Sequence, residues 1–313
     1  MKYVEFINEL IAREAEKHDQ IVLFGQNINA GSFVGGFTKE LRVKPTGRIF
    51  NSTNSENSLC GFGFGLMMQG ARAIFFMKQL DFLLLGIDQL VNTYNIIRNM
   101  PGKPTGSFTI MPIVVDNGYQ GPQSSLNNFA DFCSLGRIPG FTITNKLDAE
   151  LIIRSNMVSP GFRIIAVSQR LFKEELIIPN KPVYCDNNLT LFQYAAGKNA
   201  TIICFNFSFP QGLAIHNALK KAGINTSLFN VNSPTPINWS KVIADAKKTE
   251  KLLILDDSKS QNLSCHSLLS DAETKVRLKK KLVLVKKFDG EWLIPNADQL
   301  EINIRSIIRR LQL

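Results

Sequence analysis

The chain has 313 residues, of which 44% are hydrophobic and 20% are charged, a composition that is ordinary for a soluble globular protein. Its five cysteines are odd in number and scattered, so neither a disulfide framework nor a zinc site is indicated, and a reducing cytoplasm is the expected compartment. The N-terminal residues lack the pattern of a secretory signal, and no apolar stretch predicts a membrane span. The length predicts two domains of roughly 100–200 residues.

The formal net charge is +10, from 36 Lys and Arg against 26 Asp and Glu. Such an excess fits either a nucleic-acid or phosphate partner or a solvated surface that is rich in lysine. The densest basic segment, residues 276–287, surrounds a β-branched apolar run and contains no interleaved aromatic residues. We therefore favour a charged connection that leads into a buried strand, and we expect no nucleic-acid partner.

Strands and helices alternate along the first half of the chain. An amphipathic helix is predicted first, over residues 2–17, because apolar residues recur there at helical spacing. Apolar runs then predict buried strands at residues 21–25, 48–51, 71–77, 110–118, 141–145 and 162–168. Helices are predicted near residues 36–41, over 57–70 and, as one long helix with an apolar stripe, over 81–100. This alternation predicts a doubly wound, mostly parallel α/β domain.

A second α/β unit is predicted after a break in the pattern. Residues 174–189 are rich in Pro and Asn and indicate a linker. Strands are predicted beyond it at residues 200–206, 226–231, 251–257 and 281–288, and helices at 211–222, 239–247 and 302–313. We assign residues 1–178 to the first domain and residues 179–313 to a second, smaller domain.

The most informative segment is NSTNSENSLCGFGFGLMMQG, residues 51–70. It places one carboxylate, Glu56, directly after a predicted strand and at the head of a glycine-spaced apolar helix. An acid at that position is explained either by the positive end of the helix or by contact with a flat heterocyclic ligand. The glycine spacing matches neither a dinucleotide fingerprint nor a P-loop, so it indicates close packing of the helix against a neighbouring helix or subunit.

Six segments carry a resemblance to a known family, and they occur in the family's order: VLFGQNI, NSENSLCGFGFGLMMQGARAIF, QLDFLLLGIDQLVN, IPGFTI, SQRLF and FDGEWLIPNADQLE. In these segments the chain resembles the β subunit of the thiamine-diphosphate-dependent decarboxylating component of 2-oxo acid dehydrogenases, as in pyruvate dehydrogenase. The C-terminal section of transketolases is built the same way. The resemblance implies a pyrimidine-binding domain followed by a transketolase C-terminal-like domain, with the helix of residues 57–70 at a subunit interface.

The resemblance also implies a chemical role for Glu56. In the family, the carboxylate at this position hydrogen-bonds a ring nitrogen of the cofactor's aminopyrimidine. It favours the imino tautomer, whose exocyclic nitrogen takes the proton from the thiazolium carbon. The protein supplies orientation and electrostatics, while the difficult chemistry belongs to the cofactor. We therefore expect Glu56 to be both the catalytic residue and a cofactor-binding residue.

Several positions depart from the family pattern. The aromatic ring that stacks on the aminopyrimidine falls at Gln79 or nearby at Leu80, so we expect Gln79, Leu80 and Phe82 to contact the cofactor. The family's substrate histidine falls at Gln123, and the acid of its Gly-Glu-Asp turn falls at Gln26; both are weaker candidates for substrate contact. A glutamine can hydrogen-bond a substrate oxygen but cannot shuttle protons near neutral pH. None of the chain's three histidines is a convincing general acid for the site.

The metal-binding half of a thiamine diphosphate site is missing from the sequence. The family holds Mg²⁺ with a Gly-Asp-Gly followed by an Asn-Asn pair, whereas this chain offers only an isolated Asp289-Gly290 and an isolated Asp186-Asn187-Asn188. We therefore predict no metal ligands in this chain. The expected partner is an α-type subunit that holds Mg²⁺ and the diphosphate, in an α2β2 heterotetramer that contains a homodimer of this chain.

Two functions remain open. The first is a catalytic β subunit for 2-oxo acid decarboxylation, as in an oxidoreductase complex, or for a transketolase-like ketol transfer. The second is a non-catalytic scaffold or regulatory subunit of such a complex, which the missing histidine and aromatic ring would favour. Nucleic-acid binding through the basic surface is a third, less favoured interpretation.

Overall fold

The computed structural model of the chain describes residues 1–118, 126–235, 237–286 and 297–313. Its first sheet contains strands β1 (Ile21–Gly25), β2 (Arg48–Asn51), β3 (Arg72–Met77), β4 (Ser107–Val114), β5 (Gly140–Thr142) and β6 (Gly161–Ser168). These six strands lie in the order β2-β1-β3-β4-β6-β5, and every neighbouring pair is parallel. The helices of this half are α1 (Tyr3–Ala15), α2 (Glu56–Met68), α3 (Tyr94–Asn99), α4 (Phe129–Gly136) and α5 (Lys146–Asn156).

The second sheet contains strands β7 (Tyr184–Cys185), β8 (Leu191–Ala195), β9 (Ala200–Phe205), β10 (Thr226–Val231), β11 (Lys251–Asp256) and β12 (Lys280–Val285). Their order is β12-β11-β9-β10-β8-β7, and β8 runs antiparallel to both β7 and β10. The helices are α6 (Phe209–Lys221), α7 (Ser240–Thr249), α8 (His266–Lys275) and α9 (Ile304–Leu311). Two mostly parallel α/β units therefore confirm the predicted fold class. The predicted boundary after residue 178 lies between β6 and β7 and stays a prediction.

The central strands are mostly apolar and almost fully buried because helices and loops cover both faces of the sheet. All eight residues of β4 are buried, and the five residues of β3 that follow Arg72 are buried as well. One continuous hydrophobic cluster includes residues of both sheets. No helix of the described residues is long and apolar enough to cross a membrane.

The segment from residue 81 to residue 100 differs from its predicted form. Instead of one long α-helix, Leu80–Gly86 form a 3₁₀ helix, Gln89–Thr93 form a π-helical turn, and α3 follows as a short α-helix. An apolar stripe shows which face is buried, but it does not decide which hydrogen-bond spacing the backbone adopts. Likewise, in place of the short helix expected near residues 36–41, the chain makes a tight turn over Phe33–Gly36, in which Val34 and Gly35 have left-handed backbone angles.

Lysines of the basic segment are paired with carboxylates at the surface. Lys279 contacts Glu250, Lys281 contacts Glu273, and Lys275, directly before the segment, contacts Asp271. β12 lies inside this segment, paired with β11. These contacts support the interpretation of the net positive charge as a solvated surface.

Helix α2 packs against the first sheet through a glycine. A Cβ atom on Gly63 would lie 2.3 Å from two ring atoms of Phe108. That ring is buried and is packed against the rings of Phe24, Phe64 and Phe162. Only glycine permits this close approach, so part of the predicted glycine pattern serves the packing of the helix on its own sheet. By contrast, a Cβ on Gly65 would have no heavy atom within 4 Å.

The two glycines provide a matched pair of substitutions. We expect Gly63→Ala to lower the free energy of unfolding by about 1–3 kcal/mol, because the fixed Phe108 ring leaves no room for a methyl group. We expect Gly65→Ala to raise it by up to about 1 kcal/mol, because alanine favours the helix. Denaturant unfolding of the isolated chain measures both. Equal effects of the two substitutions would contradict the packing described here.

The two sheets are joined by a buried hydrogen-bond network around Asp148. Its Oδ2 accepts from Asn230 Nδ2 at 3.2 Å and from Asn232 Nδ2 at 2.9 Å, both in the second sheet region. In the first half, Thr144 and Asn145 also donate to this carboxylate. Burial raises the pKa of Asp148 to about 6, while the surrounding hydrogen bonds act in the opposite direction.

This shift predicts a pH dependence of stability. The pKa of Asp148 is about 6 in the folded chain and near its ordinary 3.8 in the unfolded chain. As the pH falls, the folded chain therefore binds this proton at a higher pH than the unfolded chain does. Its contribution to stability is fully present below pH 4 and is lost as the pH rises through 6. We expect the free energy of unfolding of the wild type, relative to Asp148→Asn, to fall by roughly 2 kcal/mol from pH 4 to pH 7. Urea unfolding at several pH values measures this difference, and parallel pH profiles for the two proteins would rule it out.

Candidate functional site

The candidate site lies at the carboxyl edge of the first sheet, at the point where the winding direction of the sheet reverses. β1 has β2 on one side and β3 on the other, and α2 connects those two outer strands. In open α/β sheets, ligands bind outside the carboxyl ends of the strands at such a point. Gln26 follows β1, Ser52 follows β2, and Gln79 follows β3 closely.

Glu56 is the first residue of α2, and it is 6% exposed. Its Oε1 accepts a hydrogen bond from Gln26 Nε2 at 2.9 Å. This is the one side-chain hydrogen bond to Glu56 recorded among the described residues. A carboxylate can interact favourably with the positive N-terminal end of a helix while it is exposed to solvent, so that interaction alone does not explain why Glu56 is buried. Two of the residues predicted from the sequence, Glu56 and Gln26, therefore lie in direct contact.

The 3₁₀ helix supports the first turn of α2. A Cβ on Gly86 would lie 2.8 Å from Cys60 Sγ and 3.6 Å from the backbone oxygen of Glu56, so only glycine allows this approach. Cys60 lies one turn after Glu56 in the helix. Burial and the nearby Glu56 raise the pKa of the Cys60 thiol to about 12. Cys60 is therefore a neutral packing residue and not a nucleophile.

The three residues expected near the cofactor ring have different environments. Gln79 is buried and precedes the 3₁₀ helix in an extended conformation. Leu80 is 0% exposed and belongs to the hydrophobic core. Phe82 is half-buried and packs against the edge of that core. Of these three positions, only Phe82 combines an aromatic ring with an accessible surface.

Other polar groups at the same edge were missed from the sequence. Ser52 Oγ is buried and has no hydrogen-bond partner among the described residues. Asn51 Oδ1 accepts from the backbone of Asn29, and Asp81 Oδ1 accepts from the backbone of Leu126 at 3.0 Å. Ser52 and Asn51 could have been identified because they stand at the end of a predicted parallel strand, which is the edge where ligands bind.

The remaining sequence candidates lie elsewhere. Gln123 falls in residues 119–125, outside the described residues, as does most of the late FDGEWLIPNADQLE segment. His216 lies on α6, where its Nδ1 is 2.8 Å from Thr226 Oγ1, and burial lowers its pKa. His18 follows α1 and His266 begins α8. No histidine lies at the carboxyl edge of the first sheet among the residues that the structure describes.

The Asp186-Asn187-Asn188 segment has a structural role. Asp186 accepts hydrogen bonds from the backbone of Thr190 and Leu191, closing the turn between β7 and β8. Within the described ranges, no group of three or more His, Cys, Asp or Glu side chains is placed to hold a metal ion. All five cysteines are free thiols.

An apolar face of α2 is partly exposed, although Phe62 on this face also packs edge-on against the rings of Phe24 and Phe50. Phe62 is 43% exposed and Met68 is 41% exposed, and Gly65 lies between them with open space beside it. On the neighbouring 3₁₀ helix, Leu84 and Leu85 are also exposed. Large apolar side chains that cluster on a surface mark interaction sites more often than isolated ones do.

Comparison with known proteins agrees with this architecture. Residues 1–150 match the family model of the transketolase pyrimidine-binding domain. The pyruvate dehydrogenase E1 component subunit beta of Rhizobium meliloti (strain 1021) is 21% identical over 271 residues, which cover 82% of this chain and 56% of the relative. The family resemblance seen in the sequence motifs is confirmed. The same subunit from Staurastrum punctulatum is 22% identical, with 82% of this chain and 79% of the relative covered.

A solved structure supports the fold of the whole chain. A split gene transketolase, described as an inactive β4 tetramer, matches 98% of this chain and 96% of its own with a TM-score of 0.68 and 15% identity. The chain thus resembles pyruvate dehydrogenase E1 β subunits in sequence and a transketolase subunit in fold. The chain spans little more than half the length of the relative from Rhizobium meliloti.

Proposed function

We propose that the chain is the β subunit of a thiamine-diphosphate-dependent enzyme and that Glu56 binds the aminopyrimidine ring of the cofactor. The observation that carries this proposal is a buried carboxylate at the switch point of a pyrimidine-binding fold, with one recorded side-chain hydrogen bond, from Gln26. A group so placed retains an oxygen that can exchange a proton with a ligand nitrogen. The site therefore fits the pyrimidine end of the cofactor.

Each residue of the chain has a limited task in this proposal. Bound thiamine diphosphate supplies the carbon nucleophile that adds to a substrate carbonyl. Glu56 holds and returns a proton at one carboxyl oxygen, at a position whose burial excludes most water. Gln79 and Phe82 would border the cofactor ring, with Leu80 packed behind them. Gln123 and Gln26 are the candidates for contact with substrate oxygens.

The proposed reaction is 2-oxo acid decarboxylation, as in an oxidoreductase complex, or ketol transfer, as in a transferase. Both classes begin with the same addition to a carbonyl, so the pyrimidine half of the site serves either. We propose that the protein works in the cytoplasm, which suits five unpaired thiols.

The first test is the isosteric substitution Glu56→Gln in the complex with the α-type partner. We expect turnover to fall by at least about 100-fold, because an amide cannot exchange the proton. Glu9→Gln, an exposed glutamate on α1, is the matched control and should leave turnover unchanged. Equal turnover of Glu56→Gln and the wild type would favour the scaffold function instead.

The scaffold alternative is supported by one specific observation. No histidine lies at the carboxyl edge of the first sheet in the described part of the chain, so no side chain of this subunit with an ordinary pKa near neutrality is available there. A subunit that kept the fold and the interfaces but lost proton transfer would look the same at these positions. The burial of Glu56 is what favours catalysis over this alternative.

We further propose an α-type partner that supplies the Mg²⁺ ligands and binds the diphosphate, in an α2β2 assembly containing two copies of this chain. The absence of a three-residue metal cluster among the described residues and the exposed apolar face of α2 both support a site completed by another subunit. Neither nucleic acid nor a membrane is expected as a partner.

Calorimetry tests whether the site is divided between two chains. We expect no measurable binding of thiamine diphosphate with Mg²⁺ to the isolated chain, because the diphosphate would gain no ligands there. Binding should appear when the co-purifying α-type partner is added. Tight binding by the isolated chain would refute the divided site, whatever the result for Glu56→Gln.

A further inference from the structure

Gln26 is held in a defined position by the end of β1. A Cβ on the preceding residue, Gly25, would lie 2.3 Å from the backbone oxygen of Phe76 in β3, so the two strand ends approach as closely as glycine allows. On the other side, the backbone nitrogen of Ser52 donates to the oxygen of Gly25 at 2.9 Å. Asn27 then turns the chain away with a φ of 55°. Contacts with both neighbouring strands therefore fix the backbone position of Gln26.

The Gln26 side chain reaches across this edge to the acid of the site. Its Nε2 lies 2.9 Å from Glu56 Oε1, which is 30 residues away in sequence. A hydrogen bond to a charged group is stronger than one between neutral groups and has a preferred direction. Gln26 holds Oε1, and among the described residues no side chain donates a hydrogen bond to the other carboxyl oxygen of Glu56.

We propose that Gln26 is a positioning residue for Glu56 and acts before any substrate binds. The inference rests on the proposed function of Glu56, which it deepens, and it differs from the substrate contact expected of Gln26 from the sequence. An amide suits this task because it stays a donor at every pH. A carboxylic acid at the same position would instead share a proton with Glu56.

The experiment measures exchange of the C2 proton of bound thiamine diphosphate, in the complex with Mg²⁺ and the α-type partner and without substrate. We expect Gln26→Met to slow this exchange by about 10- to 100-fold, which corresponds to the loss of one hydrogen bond to a charged group. We expect Gln26→Glu, which keeps the size of the side chain, to make the exchange rate depend on pH near neutrality. If Gln26 contacts only the substrate, both variants should exchange at the wild-type rate, and the proposal is wrong.

Gln89→Met is the matched control. Gln89 Nε2 donates to Asn57 Oδ1 at 2.8 Å, so this substitution removes a similar amide hydrogen bond from the same turn of α2 without touching Glu56. We expect exchange within about two-fold of the wild-type rate, since no bond to a charged group is lost. A loss as large as that of Gln26→Met would mean that any disturbance of this turn slows exchange, which would overturn the specific role of Gln26.

A second measurement needs neither cofactor nor partner. In the full chain, the side-chain amide resonances of Gln26 should shift when Glu56→Gln removes the charged acceptor, and should stay in place in Gln89→Met. Absence of that shift overturns the positioning role even if Glu56 proves catalytic. If instead the shift is present but Glu56→Gln leaves C2 exchange unchanged, the proposed function fails and the positioning role in catalysis fails with it.

Discussion

The reversal of winding between β1 and β3 is the constraint on which the candidate site depends. β1 and β3 are neighbours in the first sheet, yet the chain visits β2, on the far side of β1, between them. Because such crossovers are right-handed, α2 must pass over one defined face of the sheet and begin at its carboxyl edge. Glu56, the first residue of α2, is thereby brought beside Gln26, which follows β1. Strand order thus creates a contact between residues 30 positions apart.

The energetics of Glu56 explain why its burial is informative. A hydrogen bond to a charged group contributes about 1.5–3 kcal/mol, and the positive end of a helix contributes up to about 2 kcal/mol. Removing a carboxylate from water costs several kcal/mol even after relaxation of the protein. The two favourable effects are therefore comparable with the penalty and leave little net stabilisation. A buried acid that contributes so little to stability is consistent with the proposed role of Glu56 toward a ligand.

Sequence patterns predicted the strands better than the segments that shape the site. β1, β2 and β10 occupy the residues expected for them, since short apolar runs bounded by Gly, Asn or charged residues have few alternatives. The 3₁₀ helix and π-helical turn in residues 80–93 were missed, because the close approach of Gly86 to Cys60 depends on tertiary packing that periodicity does not contain. For the same reason, burial of Leu80 and the network from Asp148 to Asn230 and Asn232 could not be foreseen.

The chemistry available to the site is narrower than the fold alone would allow. Of the predicted contact residues, Gln26 and Gln79 are amides, and Glu56 is an acid whose Oε1 accepts a hydrogen bond from Gln26. Amides can orient a carbonyl or a carboxylate but cannot carry a proton. Among these contact residues only Glu56 can carry a proton, so under the proposed function the protons needed at the substrate would come from other groups, such as the cofactor, the solvent or the partner subunit. This division of labour suits a reaction whose first step is activation of the cofactor, with the choice of substrate made by the surfaces that close over it.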